Sequence, residues 1–289
     1  MSVSNTGYIG RFAPSPSGPL HLGSLLTAVA SFLDARANRG RWLLRIEDID
    51  PPREQRDAAN LIINSLIAHG LSWDGEVLWQ SQRSNSYEAA LTQLLDNQQA
   101  YYCSCSRAQL AKNNGVHPDQ CIQPFSAGDA AIRLKIRQAN TGFVDRVQGA
   151  QHYTIDQIGD PVLKRRDGLY AYQLAVVVDD AEQNISDIVR GVDLLDATAW
   201  QLHLQHALSL GPIRYLHLPV IVGDDGHKLS KQSFAPAIDD QLAKQNLHQV
   251  LHYLQQTPPP GELGITELLQ WAVEHWRVDQ IPRQTALSL

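Results

Sequence analysis

The first fifty residues carry the pattern that most restricts the fold, because they alternate between strand, loop, helix and strand. Tyr8–Phe12 is a short strand candidate, and residues 13–19, with three prolines and one glycine, form a turn-rich loop. Apolar residues then recur at helical spacing from Leu20, and Trp42–Ile46 is an unalternating apolar run typical of a buried parallel strand. This start predicts a doubly wound α/β sheet.

The alternation of strands and helices is interrupted once. Between residues 101 and 172, three cysteines, an alternating strand at 132–136 and an Asp167-Gly168 hairpin signal predict an inserted α+β domain. The alternation then resumes. Strands are predicted at Leu174–Val178, Ile188–Arg190 and Leu218–Val222, and a helix is predicted near Thr198–Leu208. The predicted segments are 1–100 (first half of the catalytic domain), 101–172 (insertion), 173–237 (second half) and 238–289 (a small helical annex).

Composition indicates a globular protein. Hydrophobic residues make up 43% of the chain and charged residues 19%, which supplies enough apolar mass for a core. No stretch approaches the roughly 18 apolar residues of a membrane span, and the N-terminus lacks the apolar segment of a signal peptide. We therefore expect a cytoplasmic protein without membrane contact, and a monomer.

Charge is unevenly distributed along the chain. Lys plus Arg number 24 against 30 Asp plus Glu, a formal charge of −6 that argues against a general nucleic-acid binder. In residues 131–170, however, seven basic side chains face four acidic ones, a balance of +3. We interpret this segment as part of an inserted domain with one basic face, and a solvated strand face is the alternative.

A histidine and small residues stand at the predicted start of the first helix. His21 follows the turn-rich loop, and Gly18 and Gly23 carry no β-carbon, so a ligand can approach the backbone closely. The free N–H groups and positive dipole end of such a helix suit a phosphate. For this stretch alone, an N-terminal turn with an incidental histidine is the alternative.

A second motif lies near residue 230. Lys228, Ser230 and Lys231 follow an Asp-Asp-Gly turn, and their charge can stabilise the negative charge that develops as pyrophosphate leaves. For this loop alone, a charged surface turn is the alternative.

Together the two motifs resemble the HIGH and KMSKS signatures of class I aminoacyl-tRNA synthetases. Residues 21–24 are His-Leu-Gly-Ser, which depart from the first signature at the last position, and residues 228–232 are Lys-Leu-Ser-Lys-Gln, which depart from the second at its second and last positions. The resemblance implies a Rossmann-like fold and catalysis by His21, Lys228 and Lys231. It further implies that ATP, with Mg²⁺, is bound by Gly18, His21, Gly23, Lys228, Ser230 and Lys231.

Three further stretches, residues 45–50, 170–173 and 189–193, resemble the glutamyl branch of these enzymes. The resemblance implies that Glu47 binds the α-ammonium group of L-glutamate, that Arg11 and Arg190 pair with its carboxylates, and that Tyr172 adds a hydrogen bond. Guanidinium forks match carboxylates, although which arginine meets which carboxylate stays open. The implied glutamate site comprises Arg11, Phe12, Ala13, Pro14, Ser15, Glu47, Tyr172 and Arg190.

The three cysteines of the chain cluster around one histidine. Cys103, Cys105, His117 and Cys121 supply three thiolates and an imidazole, a complete tetrahedral set for one structural zinc ion. Tyr101 or Tyr102 could replace His117 as the fourth ligand. Free core thiols with an incidental histidine are the alternative.

Length decides which branch the chain resembles. It ends about 60 residues past the lysine motif, which leaves room for only a small helical annex. The whole chain resembles the glutamyl-Q tRNA(Asp) synthetase family, the truncated paralogues of glutamyl-tRNA synthetases. This implies tRNA-independent activation of glutamate and its transfer to queuosine at the wobble position of tRNA(Asp). A short synthetase that charges the tRNA 3′ end, another class I-like nucleotidyltransferase and an RNA-binding paralogue without activity are the alternatives.

Overall fold

The structure is a computed structural model that describes residues 7–111, 130–137, 140–154, 158–223 and 236–288. Its strands in chain order are β1 (Ile9–Phe12), β2 (Arg41–Ile46), β3 (Leu78–Trp79), β4 (Ala100–Cys103), β5 (Ala131–Leu134), β6 (Asn140–Asp145), β7 (Gly149–Thr154), β8 (Val162–Lys164), β9 (Asp187–Gly191), β10 (Arg214–Leu218), β11 (Val220–Val222) and β12 (Ala286–Ser288). Its α-helices are α1 (Leu22–Ala37), α2 (Ala58–Ala68), α3 (Ser84–Asp96), α4 (Arg107–Ala111), α5 (Tyr172–Glu182), α6 (Ala197–Ala207), α7 (Ala243–Tyr253) and α8 (Ile265–Glu274).

Two parallel sheets meet at the centre of the fold. Strands β1, β2 and β3 pair in that order, and β9 pairs with β10. The backbone N–H of Ser186, just before β9, donates to the carbonyl of Ile9 at 2.9 Å, so β9 begins beside the beginning of β1. The parallel α/β sheet predicted from the strand–helix–strand start is confirmed.

Helix α1 connects this sheet to the C-terminal helices. It contacts β1, β2 and β9 on one side and α7 and α8 on another. Its residues from Leu25 to Ala35 are buried except Thr27, as expected for a helix that is apolar almost all round. Apolar residues of α7 and α8, among them Leu247 and Leu268, belong to the same core cluster as those of α1. Within the described residues, no helix is both long and apolar enough to span a membrane.

The region between the two halves of the sheet forms two separate units. Strands β4, β5 and β8 make an antiparallel sheet, whereas β6 and β7 form a hairpin that contacts β10. The predicted half-exposed strand at 132–136 is wrong in part, because Arg133 is buried and donates to the carbonyl of Asp160 at 2.7 Å. The domain boundaries stay predictions.

Part of the basic charge of this region is engaged in contacts within the chain. Arg146 forms an ion pair with the buried Asp34 at 2.5 Å, and Lys164 pairs with Glu88 at 2.8 Å. Lys135 and Arg137 are exposed. Ion pairs with distant parts of the chain thus neutralise part of the local excess of charge, and contact of this region with RNA stays a prediction.

Two other predictions need correction. Leu174–Val178 lies in helix α5 and is not a strand. Leu218–Val222 is divided at Pro219 between β10 and β11, which belong to different sheets. The strand that pairs with β11 is β12, which the sequence did not predict. It runs parallel to β11, so the last described residues of the chain lie beside that strand.

Candidate active site

A cavity of about 590 Å³ opens at the carboxyl ends of β1, β2 and β9, where ligands of parallel α/β sheets bind. The loop after β1 forms one wall, Glu47 follows β2, Tyr172 begins α5 and Arg190 lies in β9. The sequence-predicted residues that line the cavity are Arg11, Phe12, Ala13, Pro14, Ser15, His21, Gly23, Glu47, Tyr172 and Arg190. The structure thus brings together every residue of the implied glutamate site.

The start of α1 forms one end of this cavity. His21 caps the helix: its Nδ1 accepts from the backbone N–H of Ser24 at 3.3 Å, and its Nε2 lies 2.9 Å from the Ser24 hydroxyl. Because Nδ1 accepts, the neutral ring carries its proton on Nε2 and donates to Ser24. Gly18 does not line the cavity, but it has a φ of +146°, which other residues rarely adopt, so it shapes the loop into the helix.

The segment that follows the lysine motif in the sequence lies beside the start of α1. Lys228, Ser230 and Lys231 lie outside the described residues. Beyond them, Ala237 pairs with His21 in a β-bridge, and the N–H of Ile238 donates to the carbonyl of Leu20 at 3.0 Å. The chain therefore returns next to the start of α1 directly after the lysine motif.

A buried ion cluster lies beneath the cavity. Asp180 of α5 accepts from Arg11 at 3.1 Å and from Arg45 at 2.8 Å, and Arg45 reaches Glu47 at 3.4 Å. Burial would raise the pKa of Asp180, but the two guanidinium groups hold it below its usual value. For Glu47 burial prevails over Arg45 and Arg11 and raises the pKa. A substrate ammonium group beside Glu47 would favour its charged form.

Arg190 has a different set of partners. Its Nε donates to His217 Nε2 at 3.0 Å, its Nη2 to Thr198 Oγ1 at 2.7 Å, and its Nη1 lies 3.5 Å from the Tyr172 hydroxyl. Within the described part of the chain, no carboxylate lies at ion-pair distance from Arg190. A buried guanidinium with neutral partners is well suited to receive a substrate carboxylate.

A second cavity of about 500 Å³ adjoins the first. The two share Ser15, Glu47 and Tyr172, and the second extends towards Asp50 and Arg165.

Similarity to known proteins extends over almost the whole chain. The family model for the catalytic domain of class I tRNA synthetases (E and Q) matches residues 9–251. A Glutamyl-Q tRNA(Asp) synthetase of Pseudomonas aeruginosa is 50% identical over 286 residues, which cover 98% of each chain. The chain belongs to the glutamyl-Q tRNA(Asp) synthetase family. Its relative of that name in Photobacterium profundum is 46% identical over 99% of this chain and 94% of that one.

The fold of this glutamyl-Q tRNA(Asp) synthetase family member also occurs in a solved structure. A glutamate tRNA ligase from Elizabethkingia meningosepticum, crystallised with its amino acid, superposes with a TM-score of 0.81 at 22% identity. The match covers 96% of this chain and 66% of the ligase, so the chain spans just under two thirds of that protein. At this identity the likeness establishes the class I synthetase fold alone.

The cysteine cluster of this family member is only partly described. Cys103 ends β4 and is buried, and the backbone N–H of Cys105 lies 3.4 Å from the Cys103 sulfur, so both thiols belong to one tight turn. His117 and Cys121 lie outside the described residues, and the described residues alone contain no group of three potential metal ligands. Tyr101 donates its hydroxyl proton to Asp160 at 2.8 Å. The donor chemistry of Cys103 and Cys105 fits zinc.

The sequence did not reveal which buried ionisable residues hold the side chains of the site in place. Arg45, Asp180 and His217 each stand within or directly beside an apolar run, at Trp42–Ile46, in helix α5 and in strand β10. An ionisable residue in a buried run needs a partner, because burying an unpaired charge is costly. That signal marks such residues but does not say which distant residue is the partner.

Proposed function

We propose that this chain activates L-glutamate with ATP, without requiring tRNA, and transfers the glutamyl group to queuosine at the wobble position of tRNA(Asp). The observation that carries the proposal is the meeting of Arg190, Glu47 and Tyr172 with the start of α1 in one cavity. These residues offer a cation for a carboxylate, an anion for an ammonium group, and a helix start for phosphate. The choice of acceptor is supported by the relatives of that name, which match this chain over nearly their full length.

In the first step, the α-carboxylate of glutamate attacks the α-phosphate of ATP and expels pyrophosphate, which leaves glutamyl-adenylate. Arg190 and Glu47 hold the amino acid, while His21, Lys228 and Lys231 stabilise the charge that develops on the phosphates. Mg²⁺ accompanies ATP and neutralises part of its charge. The reaction needs no covalent intermediate on the protein.

In the second step, a hydroxyl group of the queuosine cyclopentene ring attacks the carbonyl of glutamyl-adenylate. The ester C–O bond forms, the bond between the acyl carbon and the phosphate oxygen breaks, AMP leaves with the electron pair, and the proton of the hydroxyl group is released. The second cavity joins the first at Glu47 and Tyr172, so an acceptor there would meet the activated carboxyl group. Action in the cytoplasm and as a monomer stay predictions.

The acceptor can be tested with two modified tRNA samples. Labelled glutamate and ATP are incubated with tRNA(Asp) that carries queuosine but lacks its 3′-terminal adenosine, and with tRNA(Asp) that lacks queuosine but has an intact 3′ end. We expect label on the first sample only. Label on the second would mean that the chain charges the 3′ end, and label on neither, despite glutamate-dependent ATP–pyrophosphate exchange, would exclude both acceptors.

We expect Lys231→Ala to lower the rate of glutamate-dependent ATP–pyrophosphate exchange about 10²- to 10³-fold, the effect of one lost transition-state donor. The Lys231 ammonium group is proposed to act on the leaving pyrophosphate, so kcat should fall more than KM rises. Lys244→Ala, which removes an exposed lysine that pairs with Glu262 at 3.5 Å, is the control and should leave the rate unchanged. An unchanged rate in Lys231→Ala would remove this lysine from the mechanism.

We also propose one structural zinc ion, held by Cys103, Cys105, His117 and Cys121. Metal analysis of the purified protein should find about one zinc per chain, as a closed four-ligand site requires. Cys103→Ser and His117→Ala should lower the zinc content, whereas His152→Ala, at an exposed position on β7, should not. Protein that contains no zinc and is equally stable with a chelator would refute the site.

A further inference from the structure

A chain of three buried side chains runs from the β6–β7 hairpin to the candidate glutamate site. Asp145 at the end of β6 accepts from His217 Nδ1 at 2.7 Å, and His217 Nε2 accepts from Arg190 Nε at 3.0 Å. All three residues are at least 96% buried. The chain joins a residue of the segment between the sheet halves to the arginine that lines the cavity.

The contacts of Asp145 determine the tautomer of His217. Its Oδ1 accepts from the backbone N–H groups of Val147 and Gln148 at 2.9 Å each, and its Oδ2 faces His217 Nδ1. A carboxylate can only accept, so the proton of the neutral imidazole must be on Nδ1. Nε2 therefore carries a lone pair, which is the form that can accept from Arg190.

This arrangement fixes one edge of the Arg190 guanidinium. His217 binds Nε and Thr198 binds Nη2, while Nη1 lies on the side of Tyr172 and the cavity. Tyr215 adds a ring face 5.4 Å from the guanidinium carbon and stacks on His217. The protein thus occupies the edge that points away from the substrate.

We propose that Asp145 and His217 are positioning residues for recognition of a substrate carboxylate: they hold Arg190 so that its remaining N–H groups face the cavity. The inference rests on the proposed function, since it takes that carboxylate to be one of glutamate's. Two further hydrogen bonds hold the β6–β7 hairpin against strand β10. The backbone N–H of Arg146 donates to the Tyr215 carbonyl and the Gln148 side chain donates to the His217 carbonyl, both at 3.0 Å.

The arrangement is sensitive to pH in one direction. Burial lowers the pKa of His217 below 6.5, and Arg190 lowers it further, although Asp145 opposes them. His217 is therefore neutral at pH 7. As the pH falls through the pKa of His217, a proton on Nε2 replaces the lone pair and opposes the N–H of Arg190, so the KM for glutamate should rise. The groups that face His217 are Asp145, Arg190, Asp193, Thr198 and Tyr215.

Asp145→Asn is the sharpest test, because it can reverse the tautomer without removing the turn contacts. The backbone N–H of His217 donates to both oxygens of Asp145, at 3.2 and 3.1 Å. The asparagine oxygen keeps this N–H group and those of Val147 and Gln148, and its NH₂ group then stands where Oδ2 was. It would donate to His217 Nδ1 and move the ring proton to Nε2, against Arg190. We expect the KM for glutamate in ATP–pyrophosphate exchange to rise about 10- to 100-fold, the loss of one hydrogen bond to a charged group, with the KM for ATP unchanged.

The tautomer can be read directly. Two-dimensional ¹H–¹⁵N NMR of the imidazole ring should show an Nδ1–H form of His217 in the original protein and an Nε2–H form in Asp145→Asn. A second variant, His217→Gln, offers an amide that donates to Asp145 and accepts from Arg190 without titrating. It should bind glutamate better than His217→Leu does and lose the rise in KM at acid pH. The control is His203→Gln, which changes a buried histidine on helix α6 and should keep the rise in KM at acid pH.

An Asp145→Asn protein with the original tautomer and the original KM for glutamate would overturn the inference. So would His217→Leu with an unaltered KM, or His217→Gln with the full acid dependence. If the original protein shows no glutamate-dependent exchange, the proposed function itself is wrong, which is a different result from a failed variant.

Discussion

We expect Arg190→Ala to lower kcat/KM for glutamate in ATP–pyrophosphate exchange about 30- to 4,000-fold, the equivalent of about 2 to 5 kcal/mol for truncating one side of a buried charge pair. The reason is that Arg190 lies in the wall of the cavity, is buried and has only neutral partners within the described residues. Without it, a carboxylate of glutamate would be desolvated with no guanidinium to receive it. Steady-state rates at varied glutamate and fixed ATP measure the effect.

The effect of Arg190→Ala should be confined to glutamate. We expect the KM for ATP to change little, because the ATP phosphates are assigned to the start of α1 and to the lysines. Arg190→Lys keeps the charge but not the planar fork, so it should recover only part of the loss. Arg277→Ala removes an exposed arginine that pairs with Asp279 at 2.8 Å and should behave like the original protein. An Arg190→Ala enzyme with the original KM for glutamate would contradict the assignment.

Local patterns predicted the parts of the site that are continuous in sequence. Residues 11–15 span the end of one strand and the loop after it, Glu47 follows another strand, and the start of α1 follows a turn-rich loop, so the sequence alone places each at the carboxyl end of a strand. The structure puts these residues in one cavity. The positions of Lys228 and Lys231 relative to that cavity stay predictions.

The partners that hold the site could not be predicted, because no local pattern links them. Asp145 meets His217 across 72 positions, and Arg11 meets Asp180 across 169. The strand predicted at Leu174–Val178 failed for a related reason: an unbroken apolar run has no period, and burial of most of the helix produces the same run as a buried strand. Similarly, β12 pairs with β11 through a contact between distant segments that composition does not reveal.

Asp180 contributes to stability as well as holding the arginines of the site in place. Its carboxylate is shared by two buried guanidinium groups, at 3.1 Å from Arg11 and 2.8 Å from Arg45. Removing it leaves two desolvated cations, and among the described residues Glu47, 3.4 Å from Arg45, is then the remaining carboxylate at ion-pair distance. Breaking a buried pair costs much more than an exposed pair contributes, because the remaining charge stays out of water.

We therefore expect Asp180→Ala to lower the free energy of unfolding by about 3 to 5 kcal/mol at pH 7, measured by urea unfolding. The matched control is Glu182→Ala on the same helix, whose exposed ion pair with Arg83 contributes about 1 kcal/mol or less. Because Arg11 and Arg45 hold the pKa of Asp180 below 3.8, its contribution is present above that pH and is lost as the pH falls through the lowered pKa. The stability of the original protein and of Asp180→Ala should accordingly converge in acid. Equal losses in Asp180→Ala and Glu182→Ala at pH 7 would mean that the arginine cluster does not depend on Asp180.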